Sequence, residues 1–196
     1  MNYLAHLFLA APDNEFRIGS LLADFTNGIL KDLEKRFSER IALGIKHHRE
    51  IDRYTDEHPA IHHSIELLED DYGLYSGIIV DVVQDHFLLK HWSRFSTQSK
   101  DEFFDSIYRS LDCWDFNYPE RYQVTVRRMI QLRWLDMYLD LEKVAFALSR
   151  IGERFERETP LGRTLPGLQK NYQELEADFL TFFPQLMQFS QKLLSQ

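Results

Sequence analysis

The run from Gly77 to Trp92 constrains this chain most. It is apolar enough for a fully buried helix, yet it carries Asp81 and, one helical turn later, Asp85 followed by His86. Residues four apart share a helix face, so the two carboxylates point the same way, and Ile78, Ile79, Val82, Val83, Leu88 and Leu89 around them predict burial. Two neighbouring carboxylates with little water are unstable unless they share a proton or a cation neutralises them, because desolvation and repulsion both oppose the charged forms. A divalent metal ion is the simplest remedy. The plainer alternative is a helix that packs only its Ile78, Val82, Leu89 stripe, leaves Asp81 in solvent and makes Asp85 and His86 an ordinary surface pair.

The same break in an apolar pattern recurs elsewhere, which favours the metal. From Asn2 to Ala11 the pattern predicts a short helix, apolar almost all round, with His6 as its ionisable group; taken alone, His6 also suits a core histidine bonded to backbone. Asp13-Asn14 predicts a turn. Ser20 is the expected cap of a short helix in Ile18 to Phe25, where Asp24 follows Leu21-Leu22-Ala23, with a turn role competing with a ligand role. Between Ser38 and Asp56, Ile41, Ile45, His48, Asp52 and Thr55 recur at steps of four, three, four and three, one stripe of a helix. Where buried aliphatic residues belong, this stripe has His48 and Asp52, spaced to present an imidazole and a carboxylate to one ion. His47 and Glu50 lie off the stripe and are expected at the surface.

Glu57-His58-Pro59 predicts a break, since Pro disfavours a helical residue before it. A helix from Ala60 to Asp70 follows; its His62 and His63 are adjacent, diverge by ~100° and are expected at the surface or rim. Ser93 to Ser99 is a polar linker. An amphipathic helix over Asp101 to Asp112 buries Phe103, Phe104, Ile107 and Leu111, and a long helix is expected from Glu120 to Met137. Leu141 to Arg154 is again amphipathic, a loop spans Thr159 to Gly167, and two helices, Leu168 to Phe183 and Pro184 to Leu194, close the chain with core aromatics. No strand-like alternation and no repeat occurs. The fold class is all-α, with one helical domain spanning residues 1–196.

Hydrophobic residues make up 44% and charged residues 28% of the 196, a globular balance with ample core. A net charge of -8 argues against nucleic acid and anionic membrane as partners, so an acidic partner has to be met by a local basic patch. The one cysteine, Cys113, excludes an internal disulfide and a thiolate metal cluster and fits a reducing cytoplasm. The opening segment lacks the basic start of a signal peptide and is expected to belong to the mature protein, and no apolar stretch approaches the ~20 residues that span a bilayer.

The residues that break apolar patterns are His6, Asp24, His48, Asp52, Asp81 and Asp85, with His86 adjacent, all in the first half of the chain, as are all eight histidines. Imidazole and carboxylate without thiolate favour a divalent ion in the Mn, Fe or Mg range over structural zinc. Such a site activates water and neutralises a phosphoryl group, which points to phosphate-ester hydrolysis.

Several motifs together resemble one family. They are Asn2-Tyr3-Leu4-Ala5-His6-Leu7, Gly19-Ser20-Leu21-Leu22-Ala23-Asp24-Phe25, Gly44 to Asp52, Thr55-Asp56 and Asp81-Val82-Val83-Gln84-Asp85-His86-Phe87, continuing into Trp134-Leu135, Tyr138 and Phe182-Phe183-Pro184. The chain resembles the bacterial acyl carrier protein phosphodiesterases, and the likeness covers nearly all of it. The resemblance implies hydrolysis of the phosphodiester joining 4′-phosphopantetheine to the serine of holo acyl carrier protein. It also implies a divergent branch of the helical HD-type metal phosphohydrolases, although this sequence has no adjacent His-Asp pair: Asp85-His86 is reversed, and His48 and Asp52 stand a turn apart.

On that basis His48, Asp52, Asp81 and Asp85, with Asp24 and His6, are expected to hold the metal, Mn²⁺ first and Mg²⁺ or Fe²⁺ as the other candidates. Arg49 is expected to steady a phosphate oxygen and His86 to protonate the leaving serine, or else to orient a carboxylate. Arg127, Arg128 and Arg133 are candidates for docking the acidic carrier. Two alternatives stay open: a metal phosphohydrolase of a small phosphate ester or nucleotide, and a helical binding protein without catalysis.

Overall fold

The computed structural model describes residues 1–112 and 117–195, so Cys113 lies outside the described residues. Every regular element among them is helical: α1 (Tyr3–Leu9), α2 (Asn14–Leu22), a 3-10 turn (Ala23–Phe25), α3 (Leu30–Leu33), α4 (Glu39–Asp56), α5 (Pro59–Tyr72), a 3-10 turn (Gly73–Tyr75), α6 (Ser76–Lys90), α7 (Trp92–Phe95), α8 (Lys100–Leu111), α9 (Glu120–Leu132), a 3-10 segment (Trp134–Leu139), α10 (Leu141–Gly152), a 3-10 turn (Pro160–Arg163), α11 (Leu165–Lys170) and α12 (Tyr172–Leu194). The all-α expectation holds. No helix among the described residues is long and apolar enough to cross a membrane.

The most enclosed element is α6. From Ile79 to Leu89 nearly every side chain is buried, as an all-round apolar helix requires. Phe87 of α6 meets Phe179 of α12 at a ring distance of 5.7 Å, and Phe179, Phe182 and Phe183 are fully buried, so the C-terminal aromatics are core as expected.

The closest helix contact joins α2 to α4 through two glycines. A Cβ on Gly19 would stand 2.1 Å from the carbonyl oxygen of Ile41, and one on Gly44 would stand 2.2 Å from that of Phe16. The backbones therefore touch, and this contact sets the spacing between the end of α2, which leads into Asp24, and the turn of α4 that carries His48.

Several local expectations are corrected. Ser20 does not cap a helix; it is fully buried inside α2, which starts earlier because Asp13 accepts a hydrogen bond from the Phe16 N–H at 2.9 Å. His47 is buried rather than exposed, with Nε2 2.9 Å from Ser190 Oγ and its ring edge-on to Phe16. The long helix from Glu120 stops at Leu132, because Arg133 takes a left-handed conformation (φ 45°) and is held there by Asp105 at 3.1 Å and Asp136 at 2.9 Å. From Tyr172 onward the two final helices are one, with Pro184 inside α12, while Leu168 to Lys170 belong to α11: burial of Phe182, Phe183 and Leu186 on either side of Pro184 outweighs the lost backbone bond. Part of the loop from Thr159 is α11, and α7 fills the start of the expected polar linker.

Candidate metal centre

Two helices and one turn meet at a group of candidate ligands. His6 comes from α1, His48 and Asp52 from one face of α4, and Asp24 from the 3-10 turn after α2. His6 Nε2 lies 3.0 Å from Asp52 Oδ1, and His48 Nε2 lies 3.0 Å from Asp52 Oδ2 and 3.4 Å from Asp24 Oδ1. The two imidazoles stack almost parallel, 3.6 Å apart at 13°. One donor atom each from His6, His48 and Asp52 falls within 4.8 Å of the others, a spacing that can hold a metal ion.

Electrostatically the site attracts positive charge. Burial and the His48 charge hold the His6 imidazole down at about 3. Burial also lowers His48, but its contacts with Asp24 and Asp52 outweigh this and raise it to about 9. Burial opposes ionisation of Asp52, yet the two histidines drive it far below the usual carboxylate range. The Met1 ammonium adds a second positive charge, 3.5 Å from Asp52 and 2.9 Å from Asp81. Buried His6 Nε2 and Asp52 Oδ1, although close, are not aligned for a hydrogen bond, so both keep lone-pair capacity. A cation between them would use that capacity in place of the proton on His48, and the donor set fits a divalent ion.

Asp81 reaches this group only through the Met1 ammonium and is 43% exposed, so it does not share a dry site with Asp85. Asp85 is fully buried and turned elsewhere: its two oxygens accept the N–H groups of Ala5 at 2.9 Å and Leu4 at 3.1 Å. These are orphan donors of the first turn of α1, whose own N-cap residue supplies no side-chain bond. The neutralisation expected from a metal at Asp85 is thus supplied by a helix N-terminus. Its geometric effect is to fix the helix that carries His6.

His86 also points away from the ligand group. Nδ1 donates to the Tyr138 carbonyl of the 3-10 segment at 2.8 Å and Nε2 lies 2.7 Å from the Tyr172 hydroxyl of α12, so both nitrogens are engaged; burial lowers its pKa. Arg49 donates to the carbonyls of Gly28 at 2.7 Å and Thr26 at 3.1 Å, tying α4 to the connecting segment after Asp24. His62 and His63 are exposed, as expected. Sequence reasoning passed over Tyr172 because it lies among core aromatics, and the Met1 amine because no side-chain pattern marks it.

Asp85 yields a pH prediction. Burial pushes its carboxyl up from 3.8 to about 7, against the Ala5 and Leu4 N–H groups, which favour the charged form. The folded state therefore holds this proton more tightly than the unfolded state, a stabilisation complete below the unfolded value and lost as pH rises through the folded one. Asp85→Asn, read by melting temperature from about pH 5 to about pH 8, is expected to flatten the decline with rising pH. An unchanged slope would remove Asp85 as its source.

The fold and the ligand group define a helical protein with a buried His/Asp site suited to a divalent cation. A family model described as acyl carrier protein phosphodiesterase matches residues 1–186, and the chain belongs to that family. Proteins named acyl carrier protein phosphodiesterase are similar along nearly the whole length. That of Yersinia pestis is 32% identical over 192 residues, covering 97% of this chain and 98% of the relative. That of Escherichia coli O6:K15:H31 is 32% identical over 196 residues, 99% and 100%. That of Photorhabdus laumondii subsp. laumondii is 30% identical over 189 residues, 96% and 94%. No solved structure matches the chain.

Proposed function

We propose that the chain is a metal-dependent phosphodiesterase of holo acyl carrier protein, releasing apo carrier protein and 4′-phosphopantetheine. The observation that carries this is the convergence of His6, His48 and Asp52 within 4.8 Å in a chain of this family. His6, His48 and Asp52 would hold the ion, with Asp24 and Asp81 as the carboxylates left to complete the shell. Two imidazoles and carboxylates without thiolate suit Mn²⁺, ahead of Mg²⁺ and Fe²⁺. The ion would supply neutralisation of the phosphodiester charge and a lowered pKa for water.

The chain's own residues do the rest. Asp85 holds the first turn of α1 and so fixes His6, while Arg49 fixes the segment after Asp24. Asp24, 41% exposed and 3.4 Å from His48 Nε2, would close the shell on its solvent side, and the attacking water would give its proton to bulk solvent. The water oxygen bonds to phosphorus, the bond from phosphorus to the serine oxygen breaks, and that oxygen takes a proton from solvent. His86 serves as a tie between α6 and α12 in this scheme. The kinship to HD-type hydrolases rests on His48 and Asp52, a turn apart, standing for the adjacent pair. A cytoplasmic setting follows from the carrier protein as substrate.

Substrate competition tests the assignment. With Mn²⁺ present, holo carrier protein is expected to be converted while p-nitrophenyl phosphate and nucleoside monophosphates are turned over far more slowly. Equal or faster turnover of the small esters would replace the carrier protein with a small phosphoester as substrate.

A further inference from the structure

The solvent face of α9 has an unusual composition. Arg121, Val124, Arg128 and Leu132 recur at steps of three and four, so they form one stripe, and all four are exposed. Val124 is 43% and Leu132 63% exposed, two sizeable apolar side chains left in water on a helix whose opposite face, Tyr122, Val126 and Met129, is buried. Among the described residues neither Arg121 nor Arg128 forms an ion pair, whereas Arg133 is taken up by Asp105 and Asp136. Arg127 is rotated by ~100° from Arg128 and lies off the stripe.

Both ends of α9 pack against residues that flank the candidate ligands. At its start the Tyr122 ring stands edge-on to Phe25, 5.7 Å away and next to Asp24. Past its end, Trp134 stacks at 6.4 Å on Tyr3, three residues before His6. A partner lying along α9 is therefore near Asp24, the part-exposed carboxylate of the group.

We infer that this α9 face, Arg121, Val124, Arg128 and Leu132, is the docking surface for the acidic face of the carrier protein. The inference rests on the proposed function for its partner. Charge complementarity supports it: on a chain of net charge -8, an acidic protein is repelled by most of the surface and drawn to an unpaired arginine stripe. The apolar pair interleaved with the arginines, Val124 between them and Leu132 beyond Arg128, supplies contact area, so the matching face carries apolar side chains among its carboxylates. The arrangement relocates the dock expected at Arg127, Arg128 and Arg133, of which Arg128 alone stays in it.

The test compares wild type, Arg121→Glu/Arg128→Glu, Leu132→Ser and, as a control far along α12, Lys192→Glu. Binding of apo carrier protein is followed by fluorescence anisotropy and conversion of holo carrier by kcat and KM, after circular dichroism has shown each variant folded. The double charge reversal is expected to weaken carrier binding and raise KM by about tenfold or more, with kcat much less affected and the loss shrinking at high salt. Leu132→Ser is expected to weaken binding severalfold without the salt dependence, and Lys192→Glu to match wild type. Carrier affinity and KM within about twofold of wild type in the double variant would overturn the docking surface. In that case the phosphodiesterase reading stands if wild type converts holo carrier, and falls if wild type does not.

Discussion

Asp52→Asn is expected to abolish both divalent metal binding and turnover of holo carrier protein while leaving the fold intact. Asp52 is the shared member of the ligand group: one oxygen faces His6 and the other faces His48, each at 3.0 Å. Asparagine keeps the shape but replaces one oxygen by an NH2 group, which cannot ligate and presents its hydrogens to an imidazole nitrogen. It also removes the charge that offsets a cation. Changes to groups behind a metal ligand already cost ~10–100-fold in affinity or activity, so loss of the shared ligand is expected to exceed about 100-fold in kcat/KM. Metal content after equilibrium dialysis and the rate with Mn²⁺ are the two readings. A folded Asp52→Asn protein that kept both would exclude the His6, His48, Asp52 group as the metal centre. A free-standing structural role predicts the opposite split, with loss of stability and retained rate.

Gly19→Ala and Gly44→Ala are expected to be the most damaging single-methyl additions among the helix glycines. At each, the added carbon meets the backbone carbonyl of the facing helix, at 2.1 and 2.2 Å, and a carbonyl cannot turn aside as a side chain does. Overpacking ordinarily costs about 1–3 kcal/mol, and a backbone clash lies at or beyond the upper end. Relief requires α2 and α4 to separate, which shifts Asp24 away from His48. Activity is therefore expected to fall even in the fraction that stays folded. Gly77, in α6, has nothing within 4 Å of an added Cβ. Gly77→Ala removes backbone freedom from the unfolded chain without a clash and is expected to stabilise by about 0.4–1 kcal/mol. Urea melts of the three variants give the comparison; equal stability of Gly44→Ala and wild type would show that α2 and α4 do not need backbone contact.

The parts of this molecule legible in the sequence are those written as periodic patterns. The stripe of α4 places His48 and Asp52 together because both lie on one helix at i and i+4, a relation the sequence carries by itself. His6 and Asp24 are recognisable as pattern breaks, but their meeting with α4 depends on how helices cross. That crossing is set by Gly19 and Gly44, whose role is visible only when two backbones are seen in contact. Asp81 and Asp85 are alike in sequence, yet one is held by the Met1 ammonium and the other by the amides of α1. Nothing local in α6 distinguishes them; the difference comes from where α1 begins against it. His86 likewise turns toward Tyr172, a partner 86 residues away. The end of α9 at Arg133 depends on two acids from other segments, so periodicity alone runs past it.

The most direct measurement of the central claim is the intact mass of holo acyl carrier protein after incubation with this protein, in Mn²⁺ and in parallel with excess chelator. Loss of the mass of 4′-phosphopantetheine, in the presence of the metal and not with the chelator, is the predicted result. An unchanged carrier mass with folded, metal-loaded protein, or a loss that the chelator leaves untouched, would contradict it.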